Sequence, residues 1–427
     1  MSSEARSWAE LGAKVSRYPW ALVALLWAAS FLNAADRSIV IAVMPQIRAE
    51  FGLSATQLAL IVSVFFWIYA IAAFFSGQLG DRLRRSRVII VGLAFWSIAT
   101  GFVSLSAGFG MLIALRGAVA LGEATYYPTA TALISDWHRP HTRSRALSLH
   151  QTGVFAGVGL GSLLAGLIAD RMGWRAPFVL FGVVGVLYCF VLLKLLRDAP
   201  ALHAPPSTAQ EPGSSPLRIV LKRAPALALC AVFFLGTGAY TGVLVWAPTY
   251  VHDAIGLNLA DSALYGSATI SVAGFFSAPL GGLMADSLAA RTPLGRFYTL
   301  AIGLTLAAVF LLPLMWAESP LAVGAVLLAS SVRKGLFDGC IYASMHDVVP
   351  ANARATAVGL MTMLGFFGAG LTPIFVAQAG ERFGMAAGLT SLAILYIIAV
   401  GILLAMRGVT RQVVEETRLL EEQRGFV

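Results

Sequence analysis

Seven ionisable residues, Asp36, Arg37, Arg116, Glu123, Arg333, Lys334 and Asp338, stand in stretches that are otherwise largely apolar. Facing lipid near the centre of a bilayer, each would cost about 2.5 to 3.5 kcal/mol, so they are expected to face one another, the interior of a helix bundle or a wet cavity. Asn33 and Arg37 in "FLNAADRSIVIAV" share one helical face, and Asp36 is turned from Arg37 by about 100°. Arg116 and Glu123 in "LRGAVALGEATYYP" are two helical turns apart and point to nearly the same side. Desolvation raises the pKa of a carboxylate and a neighbouring guanidinium lowers it. Glu123 and Asp36 are therefore candidate proton carriers whose state depends on whether an anion occupies the same arginines. The plainer alternative is a static ion-pair network that fixes helix register.

The chain that must position these groups has 427 residues, 58% of them hydrophobic and 12% charged, with mean hydropathy +0.79. A soluble domain of that composition could not cover its surface with polar groups, so the chain reads as an all-α membrane protein. Apolar stretches near bilayer length fall at about 19–45, 56–79, 88–107, 109–134, 146–169 and 175–196. A second set falls at about 224–250, 261–288, 297–316, 319–345, 354–379 and 385–406. The expected organisation is a leader (1–18), a six-helix bundle (19–196), a linker (197–222), a second six-helix bundle (223–406) and a tail (407–427). The leader runs directly into a full-length span without a small-residue cleavage site, so the first span is expected to remain in the mature protein.

The net charge of +9 is a topology signal. Apart from Arg48, Arg171, Arg175 and Arg382, and the four basic residues within spans, Lys and Arg sit in the termini, in even-numbered loops or at the span edges beside them. The positive-inside rule then places both termini in the cytoplasm. Nucleic-acid binding would need a basic face on a soluble module. Cys189, Cys230 and Cys340 fall inside spans with no metal-ligand spacing, which points to packing.

The chain also reads as two copies. Gly77 and Asp81 in "GQLGD" recur as Gly282 and Asp286 in "GLMAD"; "MPQI" aligns with "APTY"; Asp136, Arg143, Gly157 and Gly159 recur as Asp347, Arg354, Gly368 and Gly370. By the same registers Glu123 falls on Lys334, and Asp36 and Arg37 fall on Ala239 and Tyr240. Charge is thus distributed asymmetrically over a duplicated scaffold. Parallel repeats of six helices are how secondary transporters place a site at the bilayer midplane.

Over essentially its whole length the sequence resembles the major facilitator superfamily. "GQLGDRLRRSR" resembles its signature loop after the second span, with Arg84 in place of the usual glycine and Ser86 in place of a basic residue. The resemblance implies twelve transmembrane helices in two six-helix halves. It also implies a cytoplasmic gate involving Gly77, Asp81, Arg82, Arg85 and Asp286. Asn33 with Asp36 and Arg37, Arg116 before Glu123, and Tyr240 with "WAPTY" resemble the anion:cation symporter group. That resemblance implies substrate binding by Arg37 and Arg116 and proton coupling through Glu123. The spinster-like lysolipid transporters share nearly the same spacing, and "GEATYYP" and "TRSRALSL" resemble them equally. Around this core, Tyr240, Asn33, Tyr127, Arg333 and Lys334 are further candidates for substrate binding, and Asp36 and His150 for proton coupling. His150 qualifies because imidazole titrates near neutral pH.

The leading expectation is a proton-coupled symporter of a small organic anion such as a sugar acid, working by alternating access. It would act as a monomer in a bacterial inner membrane, take its energy from the proton gradient without a cofactor, and bind no nucleic acid. The alternative is a spinster-like carrier of lysophospholipid or another amphiphile. An enzyme is disfavoured because no H-E-x-x-H, G-x-S-x-G or His/Cys cluster is present, so neither catalytic nor metal-ligating residues are assigned. A receptor would be expected to carry a soluble sensing domain.

Overall fold

With no water to solvate a backbone inside a bilayer, each crossing must satisfy its own hydrogen bonds, and helices do so locally. The computed structural model describes residues 3–138, 140–198, 216–350 and 353–423. The first half comprises α1 (Ser3–Phe51), α2 (Ala55–Arg82), α3 (Arg85–Val103), α4 (Phe109–Glu123), α5 (Tyr126–Trp137), α6 (Pro140–Met172) and α7 (Arg175–Leu195). The second comprises a short α8 (Pro216–Lys222), α9 (Ala224–Ile255), α10 (Leu259–Ala263), α11 (Thr269–Ala289), α12 (Gly295–Leu311), α13 (Pro320–Ser331), α14 (Arg333–Val348), α15 (Arg354–Phe383), α16 (Met385–Thr390) and α17 (Leu392–Ala405). The tail forms α18 (Arg407–Gln423). The Pro- and Ser-rich stretch 199–215 lies outside the described residues.

Eleven helical stretches among the described residues are long and apolar enough to cross a membrane. The remaining crossing is the fourth, expected as one continuous span and found as α4 and α5 joined through Ala124 and Thr125. Its interruption has a local cause: Pro128 has no N–H, and its ring crowds the carbonyl of Ala124 one turn back. The tenth crossing, the counterpart of the fourth, is also interrupted, between α13 and α14 at Val332, where the turn tightens through Val332 N–H to Ala329 O at 3.4 Å. Both interruptions adjoin charge: Glu123 ends α4, and Arg333 and Lys334 open α14. In the eighth crossing, Leu264–Ala268 forms a π-helical turn in which Thr269 N–H reaches Leu264 O. The first helix is longer than expected, running back to Ser3 with Pro19 inside it.

Small residues bring the backbones together, as membrane helices require in the absence of a hydrophobic drive between them. A Cβ on Gly157 of α6 would lie 2.4 Å from the Phe31 carbonyl of α1, and one on Gly161 would lie 2.5 Å from Ala35 Cβ. In the second half, a Cβ on Gly368 of α15 would lie 2.5 Å from the Phe234 carbonyl of α9. The crossings that carry Arg37 and Tyr240 are therefore each clamped from behind.

The bundle has a linker end, where α7 ends and α8 begins, and a far end, where α1 turns into α2. At the far end the halves are joined. Asp170 of α6 accepts from the backbone N–H groups of Leu259 and Ala260 at 3.0 and 2.9 Å. Arg48 of α1 pairs with Asp253 of α9 at 2.6 Å. Near mid-depth, Trp67 Nε1 of α2 donates to Phe367 O of α15 at 3.4 Å, and the rings of Tyr69 and Phe366 lie 4.8 Å apart. At the linker end, ion pairs close within each half: Arg85 with Asp136, and Arg296 with Asp347 at 2.7 Å.

Candidate functional site

The first-half cluster is assembled from four helices. Arg37 of α1 donates from Nε to Glu123 Oε2 at 2.8 Å and from Nη2 to Asn33 Oδ1. The one-turn spacing of Asn33 and Arg37 makes the second bond a within-helix contact. The Arg37 guanidinium also lies over Tyr69 at 5.1 Å and Phe65 at 5.8 Å, both on α2. Arg116 of α4 stacks over Phe65 at 4.6 Å, so one aromatic ring is shared by both arginines. Such cation–π contacts gain strength where the cation is desolvated.

Hydrogen bonding in this cluster is incomplete. Glu123 is wholly buried, yet its Oε1 has no partner, and neither does Arg116 Nε. Asp36 points away from Arg37, as the helical turn between them requires, and accepts from Thr100 of α3 at 3.3 Å while its Oδ1 is unpartnered. Buried polar atoms are normally satisfied, and here α1 and α4 both carry unsatisfied ones, Asn33 Nδ2 and Asp36 Oδ1 on the first and Arg116 Nε and Glu123 Oε1 on the second. That arrangement suits exchange of partners better than a fixed network does.

In the second half, Tyr240 of α9 occupies the position matching Arg37, with a cation above its ring: Lys334 Nζ at 4.9 Å and the Arg333 guanidinium at 5.4 Å. Arg333 is further enclosed by Phe337 at 4.9 Å and Tyr396 of α17 at 5.1 Å, and its Nη1 has no partner. Lys334 pairs with Asp338 one turn along α14.

Tyr127 of α5 and Tyr342 of α14 are 40% and 38% exposed although they lie toward the middle of the bundle, and both are in electrostatic reach of Asp338. Tyr127 donates to Gln151 at 2.8 Å. His150 sits behind them, 1% exposed, with Nε2 at 2.9 Å from the Tyr126 hydroxyl and Nδ1 unpartnered. It is thus one layer removed from the Arg37–Glu123 pair.

Asn33, Arg37, Arg116 and Glu123 are brought together; Tyr240, Arg333 and Lys334 form a second group; Asp36 and His150 lie at the back of the first. Of the gate residues, Gly77, Asp81 and Arg82 fall in the last turns of α2, whose side chains lie outside those described. Arg85 pairs with Asp136. Asp286 lies 3.6 Å from Arg296, which also holds both oxygens of Asp347 at 2.7 and 2.8 Å. Ser86, where a basic residue is usual, donates from its N–H and hydroxyl to Asp198 at 2.8 and 2.7 Å, fastening the start of α3 to the end of α7. Sequence reasoning missed Arg296, although it stands to Arg85 as Asp347 stands to Asp136, which was signal enough to find it. It also missed Phe65, Thr100 and Tyr396, for which no local pattern exists.

Comparison with known proteins places this architecture. The chain is 29% identical to the hexuronate transporter of Bacillus subtilis (strain 168) over 395 residues, covering 88% of this chain and 93% of that one. It is 28% identical to the chloroplastic sodium-dependent phosphate transport protein 1 of Arabidopsis thaliana over 352 residues, covering 78% and 68%. The crystal structure of a bacterial homolog of the human lysosomal transporter spinster, inward-facing and unoccupied, superposes with a TM-score of 0.79 at 20% identity, covering 94% of this chain and 98% of that chain. Residues 26–373 match the model of the Major Facilitator Superfamily. The chain is an integral membrane transporter, not an enzyme, and it belongs to the major facilitator superfamily.

Proposed function

We propose that this protein is a proton-coupled symporter of a small organic anion. The observation that carries the reading is the Arg37–Glu123 ion pair, 2.8 Å long, with Glu123 fully buried and its second oxygen unpartnered. A substrate carboxylate arriving at Arg37 and Arg116 competes with Glu123 for the same guanidinium, and bidentate pairing favours the substrate. Glu123, displaced from its partner in a water-poor site, is then stabilised by taking a proton, because an unpaired buried carboxylate is costly. Anion and proton load together. Asn33 holds Arg37 in place, and Tyr240, Tyr127, Arg333 and Lys334 line or support the opposite side. Asp36 and His150 sit where a proton could be passed on behind the pair.

The far-end contacts between halves and the basic linker end support an arrangement closed toward the outside and facing the cytoplasm, with both termini inside, in a bacterial plasma membrane. Relatives named for hexuronate and for phosphate transport support an anionic cargo. The same spacing in spinster-like proteins makes lysolipid the rival cargo.

Uptake into proteoliposomes tests the proposal, using sugar acids, dicarboxylates and a lysophospholipid under an imposed proton gradient, a sodium gradient or none. The expected result is anion accumulation that follows the proton gradient. In Glu123→Gln that accumulation is lost while exchange of internal for external anion continues. Movement of lysolipid alone, or uptake that ignores both the proton gradient and Glu123→Gln, overturns it.

A further inference from the structure

The two charge clusters differ in balance. Counting Asp, Glu, Lys and Arg, the first half sets Arg37 and Arg116 against Asp36 and Glu123, which is neutral with both acids ionised. The second half sets Arg333 and Lys334 against Asp338 alone, a surplus of one positive charge. Arg333 is 1% exposed, its guanidinium lies against the rings of Tyr240, Phe337 and Tyr396, and no carboxylate hydrogen-bonds it among the described residues. A surplus buried charge is stable only if something arrives to balance it.

The two halves also offer cations in the same manner. The Arg37 side chain is 23% exposed and the Lys334 side chain 21%, and each is held by one acid of its own half, Glu123 and Asp338. One member of each pair stands beside the interruption of a crossing, Glu123 in the first half and Lys334 in the second, and these two residues share one position in the copy register. Tyr127 and Tyr342, both partly exposed, feel the charge of Asp338. Behind each accessible cation stands a guanidinium stacked on aromatic rings, Arg116 on Phe65 and Arg333 on Tyr240, Phe337 and Tyr396.

We infer that the substrate carries two anionic groups, one for each half: the first taken by Arg37, the second by Lys334 after it exchanges Asp338 for the substrate. This rests on the anion-symport reading above and adds the valence of the cargo. It also gives each group a distinct condition. The second-half subsite is positive as it stands, whereas the first-half subsite becomes positive only when one of its acids is protonated. A two-headed anion therefore spans both halves only when a proton is also present.

The test is equilibrium binding to the purified full-length protein of two six-carbon probes, gluconate with one carboxylate and glucarate with two. Glucarate is expected to bind at least about tenfold more tightly, one additional charge-assisted contact. The ratio of the two affinities should fall to about one in Lys334→Gln and be retained in Lys334→Arg, which keeps the charge and controls for folding. Equal binding of the probes by the unmodified protein, or a ratio that Lys334→Gln leaves untouched, overturns the inference while leaving anion symport standing. Binding of both probes that survives Arg37→Gln at full affinity instead removes the symport reading. Failure of both probes to bind overturns the two together.

Discussion

The two halves pack alike and differ in chemistry, and the point of divergence is close to a point of tight packing. Gly157 presses on the Phe31 carbonyl and Gly368 on the Phe234 carbonyl, with would-be Cβ distances of 2.4 and 2.5 Å. Less than two turns further along the same helices, Asp36 and Arg37 face Ala239 and Tyr240 as their counterparts. The backbone crossing is a property of the duplicated scaffold and has been kept in both copies. The side chains it presents to the middle are free to differ, because the glycine contact clamps the back of the helix while the front faces the shared space. A transporter can specialise one half for proton exchange and the other for standing positive charge without altering how either half folds.

The sharpest way to break this comparison is to treat the counterparts identically. Arg37→Gln removes a charge-assisted contact and is expected to lower anion uptake by at least about tenfold, whereas Tyr240→Phe, which keeps the ring beneath Lys334, should stay within about threefold. Comparable losses in initial uptake rate at matched expression would show that the halves are not specialised. The next test concerns what they share. Gly157→Ala and Gly368→Ala each force a methyl group against a carbonyl and should each destabilise the protein by about 1 to 3 kcal/mol. Detergent melting curves should show matched losses, and a large loss for one variant alone would break the equivalence of the two crossings. The smallest effect is expected at the linker end, where Asp136→Asn and Asp347→Asn weaken partly exposed pairs worth about 0 to 1 kcal/mol. Both should shift the fraction of molecules with an accessible linker-end cysteine label in the same direction; opposite shifts would show that the two pairs do not serve one gate.

How far these features can be read from sequence depends on range. The crossings were legible because hydropathy is local, and Asn33, Arg37, Arg116 and Glu123 were legible because charge in an apolar stretch needs a partner. The turn between Asp36 and Arg37 followed from helical geometry, and the structure separates them accordingly, Asp36 toward Thr100 and Arg37 toward Glu123. The interruption at Ala124 could have been anticipated from Pro128, but the one at Val332 in the tenth crossing is followed by no proline in α14 that would signal it. The rings under the arginines could not be found. Phe65 and Tyr396 are ordinary apolar positions on their own helices and acquire a role only when a distant guanidinium is laid across them. His150 was judged by its chemistry, whereas its place behind Tyr126, away from the central pair, is a tertiary fact.

The π turn at Leu264–Ala268 bears on the history of the second half. A turn closed from Thr269 back to Leu264 carries one residue more than an α turn. The copy register widens by two residues between the seventh crossing, where Met44 matches Ala247, and the end of the eighth, where Gly77 matches Gly282. The π turn accommodates one of these two residues inside the membrane, where a loop could not. Gly266, whose added Cβ would lie 2.7 Å from Pro248 N, holds the widened turn against the seventh crossing. The extra residue rotates everything beyond it, including Ser271 and Phe275, relative to a continuous α-helix. The π turn thus changes which face of the eighth crossing the second half presents to the interior, relative to the second crossing of the first half.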